Sequence, residues 1–437
     1  MPTAFAKGKL SQTWIKTAEK LFMPVVDEDA IGLAVSGGVD SMALMVLVHG
    51  WLGEGKHDRT GPKVFVYSVD HGLRRQSVKE CERVGVLAKS FGFEHKTLVW
   101  QGKKPKTGVQ EAAREARYGL IAEQMLRDKV GVLLSGHHMD DQAETIMMRL
   151  AHGSGVRGLR GMEVFSEIFG IRVFRPLLAV GRGELYDIVK HAGLEAFFDP
   201  SNEDPRYERV RWRKLLAGMK DSGLSAVNLS RLASRMGRAE QALEHFCSEQ
   251  FTNNVEQDKF GVQMVSHEYL IAQPEEISIR LLGKMIYRGS GGRGFGRLSQ
   301  LEGLLGELSG PGFHGVVVGG CGIALKRGKV VVFREAGRFV PGSSNVMEAG
   351  DILLRPGRET LWDQRFIVRN VSNDPVIVKS ASFLSRKRLQ DHVGNIDGLK
   401  MDWLHSCVMV VDEKGDMLAI GAKSLSKDID CELVKFD

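Results

Sequence analysis

The stretch AIGLAVSGGVDS, residues 30–41, decides how the chain is read. Residues 30–35 have the unbroken apolar character of a strand buried on both faces. A Ser-Gly-Gly turn follows, and then an apolar helix pattern through Met42, Leu44, Met45, Val46, Leu47 and Val48. Gly37 and Gly38 permit a tight turn with outward amides, and the next helix points its positive end at the same place. Ser36 and Ser41 add hydroxyl donors on either side of Val39. A carboxylate at Asp40 suits a phosphate site only if a cation such as Mg²⁺ lies between them. A structural turn with a capping Asp is the plain alternative. No Lys follows the glycines and there is no GxGxxG, so neither a Walker A loop nor a dinucleotide fingerprint is present.

Outward from this turn, residues 63–69, 94–100, 130–135 and 172–178 read as strands. Residues 77–91, 110–127 and 140–150 read as helices. The alternation predicts an α/β fold, a doubly wound and mostly parallel sheet whose ligands sit beyond the C-terminal strand ends. After residue 220 the pattern changes. Residues 229–253 and 274–287 read as helices, 316–318, 322–325 and 330–333 as short strands, and 288–297 (RGSGGRGFGR) as a mobile loop. Residues 341–345 (PGSSN) read as a linker before strands at 366–371, 376–380 and 407–411. The division predicted is 1–222, a helical or mixed domain over 223–340, and a small β-containing domain over 341–437.

The 437 residues exceed one ordinary core, and 43% apolar content excludes a disordered chain. A net charge of +6 permits a polyanionic partner without requiring one. Cys81, Cys247, Cys321, Cys407 and Cys431 form no CxxC pair, which argues against a disulfide framework or structural zinc. No signal peptide is evident, and the most apolar run, 41–52, is well short of the ~20 residues of a membrane span. The reading is a soluble, cytoplasmic protein without a membrane partner. The oligomeric state is not legible, and a homodimer is compatible with the sequence.

Two further segments carry chemistry. VDHGLR, residues 69–74, ends the second strand, so Asp70 and His71 fall at the same sheet edge, facing the ribose or adenine of a nucleotide or serving as turn residues. GHHMDDQAETIMMRL, residues 136–150, follows the fourth strand. Gly136, His137 and His138 lie at the strand end, and Asp141 and Glu144 share one helix face. Three readings stay open: helix capping, a divalent metal on His137, Asp141 and Glu144, or a grip on a cationic substrate.

SGGVDS resembles the signature of the ATP-pyrophosphatase (PP-loop) group, whose members cleave ATP between the α and β phosphates and adenylate a carbonyl oxygen. The succession HHMDDQAET, HGSGVRGLRGM (152–162), RPLL (175–178) and DPSNEDPRYERVRWRKLL (199–216) is similar, in order and spacing, to the tRNA(Ile)-lysidine synthetase family. The resemblance covers roughly the first half of the chain. It implies an enzyme that attaches L-lysine to C2 of the wobble cytidine in the CAU anticodon of tRNA(Ile), using ATP and Mg²⁺. Residues 36–41, with Asp70, His71 and Gly136, would then bind ATP, with Asp40 holding Mg²⁺ through pyrophosphate. His137, Asp141 and Glu144 match positions near the lysine and adenylate, while Arg117 and Arg209 match arginines near the phosphate and the activated base. The family often has Asn after the latter arginine, and Val210 stands there.

The resemblance also implies that the later domains bind tRNA. Arg206, Arg211, Arg213, Lys214, Arg231, Arg235 and Arg238 form basic stripes suited to a phosphate backbone, with Arg288, Arg293 and Arg297 in the glycine-rich loop. Trp212 and Phe295 are candidates to stack on bases. The alternatives are a thiolating tRNA enzyme, a small-molecule amidotransferase of the same group, or a nucleotide sensor without catalysis.

Overall fold

In a computed structural model the chain is described over residues 10–53, 61–72, 77–102, 104–105, 107–197, 204–335, 351–394 and 400–436. Arg74, the turn at 199–202 and the expected linker at 341–345 lie outside the described residues. The chain forms two compact units, Met1–Gln241 and Ala242–Asp437.

In the first unit the order is α1 (Gln12–Phe22), β1 (Ala30–Ala34), α2 (Val39–Leu52), β2 (Lys63–Asp70), α3 (Ser77–Ser90), β3 (Glu94–Val99), α4 (Val109–Asp128), β4 (Val132–Ser135), α5 (Met139–Ala151) and α6 (Val156–Leu159). Then come β5 (Phe165–Ile168), β6 (Ile171–Phe174), α7 (Arg182–His191), α8 (Glu208–Met219) and α9 (Ala226–Asn254), the last running across the unit boundary. The sheet order is β3-β2-β1-β4-β6-β5, parallel except for the edge hairpin strand β5. This is the expected doubly wound sheet. One face is covered by α1, α2, α3 and α7 through Phe22, Leu44, Leu47, Leu87 and Ile188. The other is covered by α4 through Tyr118, Ile121 and Met125. Helix α2 is buried along its whole middle, residues 41–48, which is why its sequence is apolar all round rather than on one stripe.

The second unit contains β7 (Glu256–Gln257), β8 (Gln263–Ser266), α10 (His267–Ala272), α11 (Glu275–Gly289), α12 (Leu298–Ser309), β9 (Val316–Val318), β10 (Cys321–Lys326) and β11 (Lys329–Arg334). It continues with β12 (Ile352–Leu354), β13 (Glu359–Trp362), β14 (Phe366–Asn370), β15 (Val376–Ser380), α13 (Arg386–Val393), α14 (Met401–Leu404), β16 (Val408–Val411), β17 (Met417–Ile420), β18 (Lys423–Ser424) and β19 (Ile429–Leu433). Its sheets run β7-β8-β11-β10-β9, β12-β15-β16-β17-β18 and β13-β14-β19. Strand β11 serves two cores: Val330 and Val332 pack with Leu281, Leu282 and Ile286, while Val331 packs with Trp362, Phe366 and Val378. Side chains alternate across a strand, so one short apolar run ties residues 242–335 to 351–436. Three segments were expected along the chain, and two compact units are found. No helix among the described residues is long and apolar enough to cross a membrane.

The expected mobility of 288–297 is corrected. Ser290 is fully buried, and Phe295 stacks on Tyr287 with ring centroids 4.2 Å apart. Gly291 has φ +72°, and a Cβ there would fall 2.5 Å from the Asp363 carbonyl oxygen, so glycine serves close packing rather than freedom. Buried Asp363 accepts bonds from Arg293 Nη1 (3.0 Å), Arg334 Nε (3.2 Å) and Arg365 Nε (2.8 Å). One carboxylate thus joins the glycine-rich loop, β11 and the β13–β14 turn. Replacing it leaves Arg334 and Arg365 charged and buried without a counterion, so Asp363→Ala should lose about 3–5 kcal/mol in denaturant unfolding; a change below about 1 kcal/mol would show the network to be dispensable.

Candidate active site

Ala34 pairs with Ser135 across β1 and β4, so the two following turns leave the sheet side by side. This is where chain direction around the sheet reverses, the usual place for a ligand in such folds. In the first turn Gly37 has φ +86°, and a Cβ there would lie 2.4 Å from the Phe197 ring, whose backbone N–H donates to Gly37 O at 3.0 Å. A Cβ at Gly38 would meet only Ser36 Oγ, at 3.7 Å, so the backbone before α2 is open on that side. Ser41 Oγ donates to Gly38 O (3.0 Å) and accepts from Ser36 N (3.2 Å), fixing the turn. Open backbone at a helix N-terminus, flanked by hydroxyls, is the geometry of an anion cradle.

The second turn lies against the first. A Cβ on Gly136 would fall 2.9 Å from Asp40 O and 3.1 Å from Ser41 N, both backbone atoms. Only glycine allows this approach. The buried His138 then caps α5, its Nδ1 accepting the Asp140 N–H at 3.2 Å while Asp141 Oδ2 accepts the His138 N–H at 3.1 Å. Its Nε2 is 3.5 Å from Asp40 Oδ1 and 3.4 Å from Asp141 Oδ2. Burial disfavours the imidazolium, but Asp140, Asp40 and Asp141 outweigh it and push the group up to about 10. Nδ1 also lies 3.6 Å from Asp140 Oδ2, a carboxylate that suits the imidazolium form.

His137, one residue earlier, is driven the other way, down to about 3, by burial and then by Arg175, Arg209, Arg114 and Arg117. It is neutral at physiological pH, with Nδ1 2.9 Å from Ser135 Oγ. Leu134 pairs with Phe174, so Arg175 leaves β6 level with Ser135. Arg175 is buried, with Nη1 donating to Glu163 O (2.8 Å) and Ser166 Oγ (2.9 Å). Burial, and Arg114, pull the Arg117 guanidinium below its ordinary value, against the influence of Tyr118. The site therefore holds acids from α2 and α5 and cations from α4, β6 and α8.

Helix α8 closes the acidic part. Arg209 Nε donates to Glu144 Oε2 (2.7 Å) and its Nη2 to Asp141 Oδ1 (3.1 Å). Arg213 Nε donates to Glu144 Oε1 (2.6 Å). The two arginines are one turn apart on α8, and Trp212 and Leu216 pack between it and α5 with Ala143, Ile146 and Met147. Val210, where the family often has Asn, is buried.

The structure thus brings Ser36, Gly37, Gly38, Val39, Asp40, Ser41, Gly136, His137, Asp141, Glu144, Arg117 and Arg209 into one site. Asp141 and Glu144 are paired with Arg209 and Arg213, His137 lies in the field of several arginines, and no group of three or more metal-ligating side chains occurs among the described residues, so nothing here adds to the metal reading. Asp70 Oδ1 accepts from Gly72 N (2.9 Å) and from Ser77 Oγ, so this atom shapes the turn into α3. His71 meets Trp100 edge-on. Of the basic residues, Arg213 is held on Glu144 and Arg211 on the carbonyls of Pro205 and Arg206, while Lys214, Arg231 and Arg235 are exposed. Trp212 is half-buried, donates to Glu208 Oε1 (3.3 Å) and packs against the α5 cluster, and Phe295 is half-buried with one face on Tyr287. Sequence reasoning missed His138, Arg114 and Arg175. For Arg175 the signal was a charged residue at the C-terminal end of a buried strand; a histidine N-cap offers none, because Ser, Thr, Asp and Asn are the usual caps.

A PP-loop domain model matches residues 10–219. Among curated proteins, the tRNA(Ile)-lysidine synthase of Bradyrhizobium diazoefficiens is 39% identical over 299 residues, 67% of this chain and 82% of that protein. That of Rhodopseudomonas palustris is 40% identical, over 67% of this chain and 84% of its own. That of Wolbachia pipientis wMel is 33% identical, over 80% of both chains.

The contact at Gly136 gives a direct test. Gly136→Ala should force the two turns apart, costing about 1–3 kcal/mol of stability, and should weaken ATP binding measured by calorimetry. ATP affinity equal to that of the unaltered chain would mean that the turns need not touch.

Proposed function

This chain belongs to the tRNA(Ile)-lysidine synthase family, and on that footing we propose that it joins free L-lysine to C2 of the wobble cytidine in the CAU anticodon of tRNA(Ile). It is an ATP-using ligase that forms a C–N bond. The observation that carries the finer reading is the meeting of an open anion cradle, residues 36–41, with a charge-paired acidic site on α5.

In the proposed first step the C2 oxygen of cytidine attacks the α-phosphorus of ATP, and pyrophosphate leaves. Backbone amides at the start of α2 and the hydroxyls of Ser36 and Ser41 hold phosphate oxygens. Arg117, Arg175 and Arg209 offset the charge that grows on the leaving group. Burial, and then the field of Arg175, Arg209, Arg114 and Arg117, keep His137 neutral, so it serves as a hydrogen-bonding group and not as a further cation. Asp40 Oδ1 is buried and without a hydrogen-bond partner, so this carboxylate would hold Mg²⁺ beside the phosphates. When bound there, the ion would neutralise phosphate charge.

In the second step the ε-amine of lysine attacks C2, AMP leaves with its electron pair, and the amine sheds a proton. The amine is mostly protonated in water, with a pKa of about 10.4. In this reading Asp141 and Glu144, which hold Arg209 and Arg213 in the structure, receive the ammonium and take the proton that must leave before its nitrogen can attack. The alternatives have less support. The five cysteines are all buried, and burial pushes their thiols up to about 11 or 12, so none is poised as the thiolate that thiolation needs.

Incubation with ATP, Mg²⁺, labelled lysine and a tRNA(Ile) transcript bearing CAU should put label into the RNA with stoichiometric AMP. AMP formation without labelled tRNA would overturn the lysine assignment. Glu144→Gln should raise the lysine concentration for half-maximal rate by about 10- to 100-fold, the scale of one charge-assisted hydrogen bond; an unchanged lysine requirement would remove Glu144 from the lysine site.

Exposed Arg231 and Arg235 on α9 are proposed to track tRNA phosphates. Removing both should weaken tRNA binding and reduce the slope of log affinity against log salt by roughly 0.7–0.9 per lost contact. A slope identical to that of the unaltered chain would exclude them.

A further inference from the structure

Asp40 and Asp141 come from different helices, and in the two-step reading they serve different steps: Asp40 the phosphates, Asp141 the lysine. Their side chains nevertheless converge on one atom. His138 Nε2 lies 3.5 Å from Asp40 Oδ1 and 3.4 Å from Asp141 Oδ2. With Asp40 37% and Asp141 14% exposed, water screens their repulsion only in part, and a proton donor placed between them relieves it further. Asp40 Oδ1 has no hydrogen-bond partner of its own, so the imidazole is its sole polar neighbour among the contacts described. His138 is 2% exposed, so water does not take its place.

The imidazole is itself held from several sides. Its Nδ1 engages the Asp140 N–H, and Asp140 Oδ2 accepts the backbone N–H of Arg182 at the start of α7. Its backbone N–H is bound to Asp141, and the preceding Gly136 rests on the backbone of Asp40. Ring position and reach are therefore set by α2, α5 and α7 together. Nε2 lies within reach of one oxygen of each carboxylate, and the link rests on that placement.

Resting on the two-step reading above, we infer that His138 is a positioning residue that ties the phosphate-holding carboxylate Asp40 to the lysine-holding carboxylate Asp141, so that one side chain aligns both halves of the reaction. It touches neither substrate in this assignment. It acts by fixing where two carboxylates point, and both steps need it.

The rival explanation is that His138 merely caps α5. Two substitutions separate these roles, because each keeps one nitrogen function. His138→Asn places an amide oxygen where Nδ1 sits, preserving the cap, but its nitrogen is too short to stand between the carboxylates. His138→Gln reaches the Nε2 position with an N–H donor and gives up the cap. Each variant is assayed for AMP formation with tRNA, for lysine transfer, and for melting temperature. His138→Asn should melt close to the unaltered protein yet lose about 10- to 100-fold in kcat in both assays, a range usual for groups that orient the residues holding substrate. His138→Gln should melt lower yet recover most of that loss. The opposite ranking, Asn active and Gln inactive, or a defect confined to the KM for lysine, would overturn the inference and leave the lysidine reading intact. An unaltered protein that forms no lysine-bearing tRNA would overturn that reading, and the inference with it.

Discussion

Everything at this site depends on β1 and β4 lying side by side in parallel, with Ala34 level with Ser135. That pairing sets two helix N-termini against each other. The approach is close enough that Gly136 sits on the Asp40 backbone, where any Cβ would collide. Two positive helix ends attract anions, which suits a phosphate-handling site. The same arrangement crowds the acids of the first turns, Asp40, Asp140 and Asp141, around one point. The buried imidazole of His138 stands in that crowd, and the fold supplies it from the backbone turn that creates the crowding.

Neighbours in sequence are not neighbours in field. His137 and His138 are consecutive, yet one is pushed to about 3 and the other to about 10. Burial disfavours the charged form of both; the guanidiniums of Arg175, Arg209, Arg114 and Arg117 add to that at the first, and carboxylates outweigh it at the second. A parallel strand end makes this division natural, since successive side chains leave it in different directions. Glu144 extends the theme. A carboxylate buried to 1% exposure is costly unless it is paired, and Arg209 and Arg213, arriving on α8 some 65 and 69 residues later, engage both of its oxygens. The apolar contacts of Trp212 and Leu216 on α5 help hold that helix in place.

The second unit follows the same economy of shared groups. The three valines of β11 alternate between two cores, and Asp363 gathers three arginines from separate segments. Gly291 and Gly292, which look like part of a flexible tract, lie where a carbonyl and a ring come too near for side chains. Composition alone does not distinguish the two uses of glycine: the residue that lets a chain wander also lets it pack without a gap.

The nucleotide-binding half was legible because its information is local. Strand, glycine turn and helix follow one another within residues 30–52, and the repeat of strand and helix to residue 174 has few alternative arrangements. The cradle at 36–41 and the acids at 141 and 144 were legible for the same reason. What the tertiary structure alone decided were the partners: that Arg213 meets Glu144, that Asp70 shapes its own turn, that His138 rather than His137 lies among the acids, and that residues 242–436 share their cores. Periodicity reports which face of an element is buried. It carries no information about which distant charge will be brought to that face, because this is set by sheet order and helix docking over separations of tens of residues.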